Sequence, residues 1–170
     1  MAALGFILLA VIVFMFGWNQ VGATDAKTTG VITGVAALLM AAAVVFQGAT
    51  VFGAVATAPI GALLLLWAIY GGLVAGMGLT DSGGRAVGLY SLFLSIAMLA
   101  FAVWFFVNGP VIGSIVTIAV AIPFFLQFLE YVIPARALAP IAGYFLLVAS
   151  AIGFGAGLGL YLGIFGNLLA

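Results

Sequence analysis

The stretch AVGLYSLFLSIAMLAFAVWFFV, residues 86–107, decides the fold class. It carries no charged side chain and, wound as an α-helix, extends about 33 Å, enough to cross a hydrocarbon core near 30 Å thick. A strand of a membrane barrel would alternate polar and apolar residues over about 10 positions, whereas this run is continuously apolar. Five further runs of the same kind flank it: Ala3 to Val21, Thr29 to Gln47, Thr57 to Leu79, Val111 to Ile133, and Leu138 to Leu162 or beyond. The chain reads as an all-α membrane protein, a bundle of six transmembrane helices. The first run lacks the Lys or Arg of a signal-peptide n-region and is as long as a span, so it reads as a helix rather than a leader cleaved at Val21-Gly22-Ala23.

The breaks between runs are Gly22 to Thr28, Gly48 to Ala56, Thr80 to Arg85, Asn108 to Pro110 and Pro134 to Ala137, all short and rich in turn formers. Such connections predict sequential antiparallel hairpins within a single domain over residues 1–170. Lys27 falls in the first break, Arg85 in the third and Arg136 in the fifth, so all three basic residues lie on one side of a six-span chain. The positive-inside rule makes that side cytoplasmic and sends both termini to the other face. The first and third breaks share a Thr-Asp start, Thr24-Asp25 and Thr80-Asp81, which reads equally as a repeated hairpin or as ordinary capping.

Composition narrows function by exclusion. Hydrophobic residues make up 68% of the chain and charged residues 4%, against about 25% charged in a soluble domain. No water-facing surface can be built from this, and membrane lipid is the partner it requires. Three Lys and Arg form no basic cluster, which excludes nucleic-acid binding. Cys and His are both absent, removing disulfides, thiolate chemistry, the usual metal and haem ligands and the common proton shuttle. No catalytic residue, metal or cofactor is expected, because acid–base and nucleophilic chemistry lack candidate groups.

Few polar side chains lie within the runs: Asn19, Thr33, Gln47, Thr117, Gln127, Tyr144 and Ser150. A cation path calls for carboxylate rings or a carbonyl filter, and neither motif is present. A small neutral solute needs only a narrow passage with occasional hydrogen-bonding groups, while apolar constrictions turn hydrated ions away. Glu130, four residues before Pro134, is the one acid not plainly in a loop. Two readings of it stand: pairing with Lys27, Arg85 or Arg136 near the interface, or a place on the solute path. Pro123 withdraws a donor from the carbonyl of Ala119, and it marks either a pore-lining helix or a kink absorbed by packing. Gly153, Gly155, Gly157, Gly159 and Gly163 predict close helix packing in the last run.

Four segments carry a resemblance to a known family. Leu4-Gly5-Phe6-Ile7-Leu8-Leu9 with Asn19 resembles the first helix of the AmiS/UreI family of urea channels and short-chain amide transporters, and Asp25-Ala26-Lys27-Thr28-Thr29 is similar to its Asp-Pro-Lys-Ser-Thr turn. Arg85 followed by Tyr90-Ser91-Leu92-Phe93 is similar to its entry to the fourth helix, and Phe128-Leu129-Glu130 with Pro140 resembles its Phe-Ile-Glu and later Pro. The resemblance implies three hairpins around a pore in each protomer, a homohexamer, and a location in the inner (cytoplasmic) membrane.

Carried over through these matches, the pore-lining positions are Leu4, Leu8, Val11 and Met15 in the first helix and Val120 and Phe124 in the fifth. The family carries two Trp at the fifth-helix positions, and this chain departs there. Its final-helix carboxylate is also missing, the matching position being near Leu146, as are the loop His residues of acid-gated members. The resulting expectation is a passive channel for urea or short aliphatic amides that is not gated through His. An ion-coupled transporter and a non-transporting assembly subunit stand as the alternatives.

Overall fold

The computed structural model describes residues 2–51, 58–80, 82–108, 111–133 and 136–162. Most of the second break, Asp81, the turn at Gly109 and Pro110, Pro134 and Gly163 lie outside the described residues. Six helices follow in order: α1 (Ala2–Gln20), α2 (Ala26–Val51), α3 (Ala58–Thr80), α4 (Arg85–Asn108), α5 (Val111–Val132) and α6 (Ala139–Tyr161), the last entered through a 3-10 turn, Arg136–Leu138. No strand occurs among the described residues. Five of the helices are long and apolar enough to cross a membrane, and the 19 residues of α1 extend about 28 Å.

Large apolar side chains cover the outside. Leu38, Phe46, Val103, Phe106 and Val148 are all more than half exposed, an arrangement that water would penalise and lipid does not. The chain is an integral membrane protein.

Local chemistry sets the helix ends. Gly22, at φ 80°, terminates α1; the Ala23 amide donates to the Trp18 carbonyl at 2.9 Å and the Gly22 amide to the Asn19 carbonyl at 3.0 Å. This is a Schellman cap, which favours glycine because a Cβ resists the left-handed conformation. Three residues later Asp25 caps α2, its carboxylate accepting from the Thr28 amide at 2.8 Å and the Thr28 hydroxyl at 2.7 Å. The cap draws Ala26, Lys27 and Thr28 into the helix, so α2 begins three residues before the apolar run.

The Thr28 hydroxyl and then its amide hold the Asp25 carboxyl below the usual carboxylate range. A lowered folded-state pKa gives stability that is present above the unfolded value near 4 and is lost as pH falls through the folded one. Asp25→Ala is accordingly expected to lower the melting temperature at pH 7, with the gap to the parent protein closing below about pH 4. A gap of constant size across that range would remove the carboxylate from the cap.

The helices form a closed ring in chain order, and within it the tightest partners are α2 with α3, α4 with α5, and α1 with α6. Two of the three antiparallel pairs thus join helices consecutive in the chain, and the ends of the chain supply the third. Each pair closes on glycine at the end that carries Lys27 and Arg85. A Cβ on Gly78 would run into the carbonyl of Ala26, and one on Gly30 would stand 3.0 Å from the carbonyl of Ala75, so α2 and α3 meet backbone to backbone. Gly17 and Gly143 do the same for α1 and α6, a Cβ on either lying about 3 Å from the other's carbonyl. Gly84 and Gly88 make room for Tyr131 between α4 and α5. Small residues permit such approach where burial alone gives little drive inside lipid.

Of the last-helix glycines, Gly153 makes ordinary contact with Leu9 and Ala10, while Gly155 faces open space. Hydroxyls complete the pairs: Ser150 donates to the Ala10 carbonyl at 2.9 Å, Ser95 to the Ala121 carbonyl at 3.0 Å and Ser114 to the Ala102 carbonyl at 2.8 Å. Pro123 is buried inside an unbroken α5.

Candidate functional site

Helices α3 and α5 belong to different pairs, and among the described residues their backbones do not touch. They meet through long side chains that fill the axis of the ring. The first layer is aromatic. Phe124 lies with its ring centre 4.9 Å from that of Trp67 and 5.1 Å from that of Tyr70, while Phe16 reaches Tyr70 at 6.0 Å. All the contacts are edge-to-face, the geometry that ring quadrupoles favour, and three of the four residues, Phe16, Tyr70 and Phe124, are completely buried.

One turn further along α5 the axis becomes polar without becoming charged. The Tyr70 hydroxyl donates to Gln127 Oε1 at 2.8 Å, and Ser91 Oγ stands 2.9 Å from the same oxygen. The Ser91 hydroxyl also lies 2.7 Å from the Val87 carbonyl, a second place for its single proton. Gln127 Nε2 is buried with no hydrogen-bond partner.

Another turn on, Gln20 Nε2 donates to Glu130 Oε2 at 2.8 Å and reaches the Tyr131 hydroxyl at 3.4 Å, while Gln20 Oε1 is buried without a partner. Glu130 thus accepts a hydrogen bond from a neutral amide on α1, while Lys27 and Arg85 are exposed and the side chain of Arg136 lies outside the described residues.

The residues expected to line a pore fall in different places. Phe124 sits in the aromatic layer and Val120, half-buried, packs against the same core. On α1 the axial face is carried by Ile12, Phe16 and Gln20, one residue on from Val11 and Met15. Leu8 is half-buried against the core, Leu4 is exposed and Met15 is half-buried. Val11 also lines an apolar groove of about 320 Å³ between α1 and α6, with Phe14, Ala151 and Phe154. Leu146, where the resemblance expects a carboxylate, is fully buried. Asn19 serves the turn, its amide donating to the Thr24 carbonyl at 3.0 Å.

Sequence reasoning singled out Gln127 as polar but gave no solute-path role to Gln20, and it read Trp67 and the tyrosines as belt or packing residues. The spacing Val120, Phe124, Gln127, Tyr131 follows one face of a helix and was the available signal. No group of three or more acidic, His or Cys side chains able to hold a metal occurs among the described residues.

A ring of six membrane helices whose axis is filled by aromatic and polar side chains defines a class: a compact polytopic helical bundle. Within that class the fold is similar to the cryo-EM structure of the Helicobacter pylori urea channel in its closed state, with a TM-score of 0.80 over 95% of this chain and 98% of that one, at 14% sequence identity. At that identity the likeness is one of fold. No protein-family model and no curated protein matches the chain.

Proposed function

We propose that the chain is a passive channel for small uncharged solutes, urea first and short aliphatic amides next, and that it is a distant member of the AmiS/UreI family. The observation that carries this reading is the fold shared with a urea channel along nearly the whole of both chains. The interior supports it. Phe16, Trp67, Tyr70 and Phe124 form the constriction, with Val120 one turn before Phe124 on α5. Rings packed edge-to-face exclude hydrated ions by desolvation, and the neutral amides beyond them offer hydrogen bonds without trapping charge.

The active unit is proposed to be a homohexamer with a pore in each protomer, in the inner membrane, with both termini on the non-cytoplasmic side. Stopped-flow flux into proteoliposomes tests the reading. Urea and acetamide should enter down their gradients without accumulation, faster than glycerol. Absence of urea and acetamide flux from folded protein would refute it. Glu130 is the observation that favours an ion-coupled transporter, because an intramembrane acid is the usual coupling group. That reading requires a proton-dependent current that Glu130→Gln abolishes, whereas a channel shows none.

Two outcomes follow for orientation and pH. Ser82 and Asn108 are exposed at opposite ends of α4, so cysteines placed there report topology. Asn108→Cys should react with an impermeant thiol reagent applied outside and Ser82→Cys should not, and the reverse pattern would invert the orientation. With no His in the chain, urea flux should change little between pH 7 and about pH 5. A steep activation over that interval would assign gating to a carboxylate, Glu130 first.

A further inference from the structure

Two amides on the axis, Gln127 fully buried and Gln20 partly so, are incompletely bonded, and their free atoms are of opposite kinds. Gln127 Nε2 is a donor without an acceptor, and Gln20 Oε1 is an acceptor without a donor. Leaving such a group dry and unpaired is costly, and interiors seldom retain one without a use. Each amide is held by its other end. Gln127 Oε1 is fixed by the Tyr70 hydroxyl with Ser91 alongside, and Gln20 Nε2 is fixed on Glu130. Turning the Gln127 amide over would aim its NH2 group at Tyr70 and Ser91 and leave the oxygen bare, so either orientation leaves one polar atom open. Gln127 has no exposure to the outside of the bundle, and lipid therefore does not supply the missing partner.

The two amides belong to successive layers, because Gln20 pairs with Glu130, three residues along α5 from Gln127. Three residues of helix advance about 4.5 Å, within the reach of a small planar molecule with a hydrogen bond at each end. Gln127 Nε2 asks for a carbonyl oxygen and Gln20 Oε1 asks for an N–H. The aromatic edges of Trp67, Tyr70 and Phe124 border the first station on the side away from Gln20. A molecule that is flat, neutral and carries C=O and NH2 on one carbon satisfies all three features; glycerol lacks both a carbonyl and a plane.

We propose that Gln127 and Gln20 form a two-station hydrogen-bonding track selective for solutes of the urea and primary-amide class, the carbonyl docking on Gln127 Nε2 and an N–H on Gln20 Oε1. This rests on the channel reading and assigns its chemical selectivity to two residues outside the aromatic constriction. The unpaired atoms are then the resting state of the track, replacing part of the hydration shell that the solute sheds at the aromatic layer. Tyr70 is a positioning residue, since its hydroxyl keeps the Gln127 amide from rotating.

The test measures urea, acetamide, glycerol and water flux in proteoliposomes for the parent protein, Gln127→Met and Gln20→Met, with melting temperatures recorded in parallel. Gln127→Met is expected to reduce urea and acetamide flux about tenfold while leaving water and glycerol flux within about twofold. Its melting temperature is expected to fall, because the substitution removes the unpaired Nε2 but also takes the acceptor from the buried Tyr70 hydroxyl, so fluxes are compared well below the transition. Gln20→Met should act in the same direction, and Tyr70→Phe should lower the urea-to-glycerol ratio with a smaller effect on water. Should Gln127→Met fail to fold, Gln127→Asn, which withdraws the amide by one methylene, carries the same comparison.

If these variants fold and lower all four fluxes in proportion, or leave the urea-to-glycerol ratio of an active parent unchanged, the track is wrong and the channel reading survives. A parent protein that conducts neither urea nor acetamide removes both.

Discussion

Phe124→Ala is expected to raise acetamide flux relative to urea flux severalfold and to raise water permeability with it. Phe124 is the hub of the aromatic layer, in contact with both Trp67 and Tyr70, and its truncation removes the ring on which both edges converge. The cavity left behind costs about 3–5 kcal/mol, so the variant should be measured well below its melting temperature. The opposite change, Val120→Trp, places an indole one turn away on the same face of α5 and should suppress acetamide more than tenfold while reducing urea less. Phe125, neighbouring in sequence but exposed and tilted against Phe128, is the control: Phe125→Ala should leave both ratios untouched. If Phe124→Ala and Val120→Trp both leave relative fluxes unchanged in folded protein, the aromatic layer is not the constriction.

The second large effect is on assembly. Gly78→Leu should abolish folded protein or destabilise it by about 3 kcal/mol or more, because the new Cβ would run into the Ala26 carbonyl, which the α2 backbone holds in place. Detergent melting and resistance to proteolysis report the loss. Gly72 and Gly76, on the same helix, face open space where a methyl group would project. Gly72→Ala and Gly76→Ala should be tolerated or stabilising by up to about 1 kcal/mol, since alanine is the better helix former. Equal tolerance at all three positions would show that α2 and α3 do not meet as closely as described.

The helices were legible in the sequence because each apolar run is long and broken by turn formers. Five of the six spans agree with the observed bounds to within one residue at nearly every described end, and the sixth, α2, extends beyond both ends of its run, at the first because Asp25 caps it. Which face of each helix turns inward was much less legible. In water an inward face is apolar and an outward face polar, but in lipid both are apolar, so Val11 and Ile12 look alike in sequence. The resemblance placed the α1 lining on Leu4, Leu8, Val11 and Met15; the α1 contacts to Gly71, Tyr70 and Glu130 come from Ile12, Phe16 and Gln20. The choice of partners was hidden for a related reason: short loops make neighbours, but glycine positions decide which neighbours close tightly, and these act in pairs that only the folded chain brings together. Gln127 stood out as a lone amide in an apolar run; its bonds to Tyr70, 57 positions away, and to Ser91 had no local signature.

The joining of α1 to α6 has a consequence for biosynthesis. Chains emerge N-terminus first, so α1 reaches the bilayer long before Gly143 exists to receive Gly17, and the Ala10 carbonyl waits through 140 positions for the Ser150 hydroxyl. The α2/α3 and α4/α5 pairs assemble from adjacent segments, while the first helix stays without its main partner until the last has been made. The final helix is therefore the clasp of the ring. A rearranged gene that opened the chain in the turn after α1 and tied the end of α6 to the start of α1 would encode the same contacts as three consecutive hairpins, each complete as soon as it is synthesised.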